Sequence, residues 1–132
     1  MIDREALLRL IDDGTIDTVM LAIPDQQGRL VGKRFTGRHF REQVADGGTH
    51  ACDYLLTVDL DMEPLPGYRL ASWDRGYGDH HVVPDWSTLR LLPWQEGTAL
   101  VLGDLELEDG QPVAVAPRQV LRRQVERAAA LG

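Results

Sequence analysis

Cysteine is nearly absent from this 132-residue chain: Cys52 stands alone, so no intrachain disulfide can form. That pattern leads us to expect a reducing cytoplasm. Long apolar runs are missing too. None approaches the roughly 20 residues that cross a bilayer, and the charged N-terminus Met1-Ile2-Asp3-Arg4-Glu5 has no signal-peptide layout. Basic residues are scarce in the middle. Residues 51–113 hold 12 acidic and 3 basic side chains, a net of −9 within a total of −7. Such a stretch repels phosphate backbones, so nucleic acid is not an expected partner, and neither is a membrane. The acidic surface either draws cations or amines, or is a solvated face. Also lacking are a P-loop, a Rossmann glycine fingerprint, zinc spacing and a nucleophile elbow.

What is present fits one soluble α+β domain. Asp3 can cap a helix over residues 3–13, stopped by Gly14. Thr15–Ile23 and Arg29–Phe35 read as strands around the turn Pro24-Asp25-Gln26-Gln27-Gly28, a β-hairpin. A helix is expected over 37–46 with Thr36 as its cap, and Ala51–Val58 reads as a buried strand. Residues 59–79 carry Pro64, Pro66, Gly67, Gly76 and Gly78 among aromatics and charges, a long ordered loop. Short strands follow at His81–Val83, Ser87–Leu92 and Ala99–Leu107, with a returning piece at Val113 and Val115. Pro117 opens a last helix to 131. Its apolar face holds Val120, Leu121, Val125, Ala128 and Ala129, and its arginines lie mainly opposite. The expected architecture is a β-grasp-like, mostly antiparallel sheet with flanking helices.

The stretch Trp73 to Leu105 carries an ordered set of residues: Asp79, then Pro84-Asp85 with Ser87-Thr88, then Pro93-Trp94, then an apolar strand ending at Asp104. With the opening hairpin and Pro117-Arg118, this resembles the N-terminal β-grasp domain of the glutamine synthetase family across roughly residues 15–131. The segments Asp59-Leu60-Asp61-Met62-Glu63-Pro64 and Ala71–Asp79 look like the divergent members that join glutamate to amines other than ammonia. The Phe-Asp-Gly-Ser-Ser segment of ammonia users does not occur here. The resemblance implies residues 1–14 as an N-terminal helix and 15–113 as the glutamine-synthetase-type domain. Residues 114–132 would then be the first helix of a catalytic domain that the chain lacks. It implies ATP and Mg (or Mn) for the full-length enzyme and none in this chain, which would be inactive alone. It implies a homo-oligomer in which this domain meets the catalytic domain of its own and a neighbouring subunit.

In that chemistry the γ-carboxylate of glutamate is phosphorylated and an amine displaces the phosphate. Carboxylates can attract the cationic amine, and one could take its proton. Aromatic faces add cation–π attraction. The amine-binding candidates are therefore Trp73, Asp74, Arg75, Tyr77, Asp79, Asp59 and Asp61, with Glu63 and Tyr68 nearby. Each also has a plain structural alternative. Trp73 and Tyr77 could pin the loop, Asp74 could pair with Arg75 or Arg69 or cap a turn, and Asp79 and Asp85 could be turn residues. No catalytic residue and no metal ligand is singled out. Adjacent His80 and His81 would point to opposite faces of a strand, and Cys52 reads as a small buried hydrophobe. The competing reading from another class is a free-standing β-grasp binding or assembly module. A small metal hydrolase built on the Asp/His cluster ranks third.

Overall fold

A computed structural model describes residues 2–132 of the chain. Helix α1 spans Arg4–Asp12, capped by the Asp3 carboxylate, which accepts from the Ala6 amide at 2.7 Å. Strands β1 (Thr18–Pro24) and β2 (Leu30–Thr36) form the expected hairpin, paired antiparallel from Thr18↔Thr36 to Pro24↔Leu30. Gly28 closes its turn at φ +82°, a conformation that side chains resist. Thr36 caps α2 (Gly37–His39) through its hydroxyl. A π-helical turn over Phe40–Val44 and the short α3 (Ala45–Gly47) continue from it, burying Phe40 and Val44.

The chain beyond Thr49 departs from expectation in several places. Residues 51–58 are not one strand. Strand β3 covers only Thr49–Cys52, and a 3₁₀ turn, Asp53–Leu56, follows. The turn buries Leu56 by winding, which contiguous Tyr54-Leu55-Leu56 permits as readily as extension does. The two short strands expected at 81–83 and 87–92 are one, β4 (Asp79–Leu91), bulged between Asp85 and Arg90. At the bulge the Thr88 hydroxyl accepts from the Leu102 amide at 2.8 Å, satisfying a donor the ladder leaves open. Strand β5 (Thr98–Glu106) lies between β4 and β1, giving the order β2-β1-β5-β4-β3.

The sheet is therefore mixed rather than antiparallel throughout. Strand β1 runs parallel to β5, in register from Thr18↔Thr98 to Ala22↔Leu102, while the other pairings are antiparallel. Residues 112–115 add only a bridge from Pro112 to Glu106. Leu7, Val19, Leu21, Phe40, Leu89 and Val101 lie at the centre of the core.

Helix α4 (Pro117–Leu131) starts with Pro117 as expected, but its apolar face is not covered: Leu121 is 65% and Val125 59% exposed, and only Gln119 is buried. Its first turn is held ionically instead. The Arg118 guanidinium bonds Asp104 at 2.8 Å and also Asp85, and Arg122 bonds Asp104 at 2.8 Å. No helix among the described residues is long and apolar enough to cross a membrane.

Candidate functional site

The loop between the 3₁₀ turn and β4 divides into two lobes. The first is a tight turn over residues 58–64, closed by a Val58↔Pro64 bridge. Asp59 sits inside it. Its carboxylate accepts from the amides of Asp61 at 2.9 Å and Glu63 at 3.0 Å, so it is committed to the backbone. The Asp61 side chain is exposed and makes no bond among the described residues. This lobe is strapped to the β1–β2 turn. Asp25, 1% exposed, accepts from the amides of Gln27 and Arg29 at 2.9 Å each and from Arg29 Nε at 2.7 Å. The other edge of the Arg29 guanidinium donates to the carbonyls of Leu60 at 2.5 Å and Asp59 at 3.1 Å. Gln27 Nε2 adds a bond to the Val58 carbonyl at 3.0 Å. Burial alone would raise the Asp25 pKa, but the donors on Arg29 and Gln27 outweigh it and hold the carboxyl below its ordinary value.

The second lobe, residues 68–78, carries the aromatic candidates. Trp73 meets Tyr77 edge to face at 5.2 Å between ring centres, and Tyr77 meets Tyr54 in the same manner at 6.0 Å. Tyr77 is half-buried by this stacking, whereas Trp73 stays 80% exposed. Tyr77 thus pins the lobe to the 3₁₀ turn, and Trp73 is a largely bare aromatic face at its tip. Asp74 beside it is exposed and forms no ion pair among the described residues, so the expected pairing with Arg75 or Arg69 does not occur. Arg75 instead donates to the backbone carbonyl of Arg69. Asp79 is not in a turn: it opens β4 opposite Cys52 and is exposed.

Below the second lobe lie Asp53 and His80. The Asp53 carboxylate accepts from the Gly78 amide at 3.1 Å, which fixes the end of the loop. His80 is 6% exposed and its Nε2 has no hydrogen-bond partner among the described residues. Burial pushes its pKa down, against the opposing pull of Asp53 and Asp79. His81 faces the other side of the strand, as alternation requires, with Nε2 2.7 Å from the Gly47 carbonyl. Cys52 is half-buried rather than buried. Among the described residues no three His, Cys, Asp or Glu side chains converge to hold a metal.

The seven sequence candidates are therefore not one patch. Trp73, Asp74, Arg75 and Tyr77 share the second lobe, Asp59 and Asp61 occupy the first, and Asp79 lies at the strand entrance. Sequence reading missed Asp25, Arg29 and Tyr54. Asp25 looked like an ordinary turn residue, and nothing local marks Arg29 as a partner for a segment some thirty positions ahead.

No family model matches the chain. Curated proteins do, and two of them show the likeness well. The sequence is 57% identical over 128 residues to the γ-glutamylethanolamide synthetase GlnA4 of Streptomyces coelicolor, covering 97% of this chain and 28% of that protein. It is 38% identical over 122 residues to a glutamate–isopropylamine ligase of Pseudomonas sp., covering 92% of this chain and 27% of that one. A crystal structure described as a novel glutamine synthase homolog superposes with a TM-score of 0.70 at 22% identity, over 89% of this chain and 28% of that chain, a likeness of fold. The chain thus spans little more than a quarter of the length of the proteins it matches. With these matches added to the ordered residues between Asp79 and Arg118, the chain belongs to the glutamine synthetase family and corresponds to its N-terminal part.

Proposed function

We propose that this chain is the β-grasp-like amine-side domain of an ATP-dependent ligase that joins the γ-carboxylate of glutamate to an organic amine in preference to ammonia. The observation that carries the reading is the tip of the second lobe. Trp73 is exposed, braced from behind by Tyr77 and Tyr54, and adjoins the unpaired carboxylate of Asp74. A cationic amine would gain attraction from both groups, and its alkyl part would gain about 0.8 kcal/mol for each CH₂ it buries. Ammonium has no CH₂ to bury. The relatives named for ethanolamide and isopropylamine chemistry support an organic amine.

Binding and orientation of the amine are the steps these residues could serve. Trp73 and Asp74 would hold the cation, Tyr77 would fix the ring of Trp73, and Asp61 and Asp79 would add negative potential. Asp59 acts through its turn, and Arg75 braces the lobe backbone. ATP and a divalent metal belong to the full reaction. The described residues gather no ligand set for a metal.

Residues 15–113 form the family-type domain in this reading, 1–14 its leading helix, and 114–132 a connection to a catalytic domain. The bare apolar face of α4 supports docking there rather than a self-contained module. A homo-oligomeric, cytoplasmic enzyme completes the proposal. The test is kinetic, in the ligase that contains this domain. Trp73→Ala and Asp74→Asn should raise KM for the amine far more than KM for ATP or glutamate. Unchanged amine KM in both, or ammonium as the best nucleophile, would remove the assignment.

A further inference from the structure

The acidic middle of the chain, residues 51–113, has just three basic side chains, Arg69, Arg75 and Arg90. Two of them line one cleft. It lies between the second lobe, the 3₁₀ turn and the segment before α4, with a volume of about 590 Å³ and no carboxylate in its walls. That volume lies within the range of small-molecule sites. Leu56, Leu70 and Val115 supply apolar walls, and Gln26 and Tyr68 supply polar groups. Gln26 is held in place by its bond to the Val115 carbonyl at 3.3 Å.

The two arginines differ from those that hold the fold together. Arg29, Arg118 and Arg122 are matched by carboxylates. Arg69 and Arg75 form no ion pair among the described residues, although acidic side chains outnumber basic ones fourfold in their segment. Arg75 is anchored by one nitrogen on the Arg69 carbonyl, which joins the two residues and leaves the rest of the guanidinium free to donate. Two planar donor groups beside apolar walls, with no protein anion to satisfy them, match the chemistry of carboxylate and phosphate recognition.

We propose that this cleft binds a small organic oxyanion, a carboxylate or a phosphate ester, through the guanidinium groups of Arg69 and Arg75. The site does not rest on the amine reading. The cation is assigned to Trp73 and Asp74 at the lobe tip, and the anion to the cleft beneath it.

Heteronuclear NMR titration of the 132-residue chain tests this with four probes: succinate, inorganic phosphate, sodium chloride at matched ionic strength, and ethanolammonium chloride. Succinate or phosphate should give saturable shifts at Thr57, Arg69, Leu70 and Arg75. The tighter of the two identifies the source of the oxyanion. Chloride should not reproduce the shifts. Arg69→Gln and Arg75→Gln should each weaken binding about tenfold or more, the loss expected for a charge-assisted hydrogen bond. Arg69→Lys should retain part of what Arg69→Gln loses, which separates lost charge from lost fold. Equal shifts with chloride, unchanged affinity in both Gln variants, or saturation of the same residues by ethanolammonium would overturn the site. Ethanolammonium shifts confined to Trp73 and Asp74 would leave it standing, and failure at those residues would count only against the amine reading.

Discussion

Replacing Arg29 by Met should loosen the first lobe before it unfolds the domain. Asp25 has a fully buried side chain, and the Arg29 side chain is 36% exposed. Stripping the partner from a fully buried charge costs about 3–5 kcal/mol, whereas an exposed pair contributes about 0–1. Arg29 lies between these cases, and Asp25 keeps its two amide donors in the variant. The lost pair should therefore cost about 1.5–2 kcal/mol once solvent screening is allowed for. The Leu60 and Asp59 carbonyls also lose a donor. Both can recruit water, so each adds only about 0.5 kcal/mol. We expect a total of about 2.5–3 kcal/mol by urea unfolding, about 2 for Asp25→Asn, and a double-mutant coupling of about 1–2. Hydrogen exchange should rise first over residues 58–65, while the Asp61 and Glu63 amides keep part of their protection from Asp59. Strict additivity of the two substitutions, or unchanged exchange over 58–65 in the Met variant, would refute the strap.

Acidification should expose His80. Its folded pKa lies below the ordinary histidine value of 6.5, so the unfolded chain binds more protons as pH falls beneath that value. Stability should therefore decline from pH 6.5 downward until the folded value is reached, and His80→Leu should flatten that slope in urea titrations read at several pH values. Asp25 acts lower: its depressed carboxyl contributes stability fully above the ordinary aspartate value of 3.8, lost as pH falls through the folded value. Arg118→Met should cost about 1–2 kcal/mol, because it leaves half-buried Asp85 without its cation while Asp104 keeps Arg122, with loss of helical circular dichroism from the first turn of α4. Trp73→Ala should change the midpoint of thermal unfolding little, since an 80% exposed ring gives up about 0.5–1.5 kcal/mol of aromatic pairing at most.

Local chemistry was legible wherever a short motif closes on itself. Asp3, Thr36 and Pro117 mark their helices, and the turn ending at Gly28 marks its hairpin, because cap and turn bonds span only a few residues. The parallel partnership of β1 and β5 was missed although a signal exists. Val19-Met20-Leu21-Ala22-Ile23 and Ala99-Leu100-Val101-Leu102 are continuous apolar runs, the mark of strands enclosed within a sheet rather than alternating at its edge. The pair Tyr54-Leu55 gave no means of choosing extension over a 3₁₀ turn, since both bury the same atoms. The candidate site was half legible. Residue types marked 59–79 as a loop of aromatics and acids, which the fold divides between a lobe with Trp73, Tyr77 and Asp74 and a lobe with Asp59 and Asp61. Composition could not tell that Asp59 is spent on its own turn or that Arg29 reaches across to hold it.

The parallel pairing also sets an order of events for the growing chain. Strand β1 and its hairpin partner emerge early, but Thr18 must wait for Thr98 before its second edge is satisfied. Until then a nearly all-apolar strand presents open amides and carbonyls to any neighbour. Closing so long a loop is slow, and contacts of high sequence separation lower folding rates. A ribosome-bound chain that stalls before β5 would thus hold a sticky two-stranded ribbon, the form most prone to pair with another copy of itself.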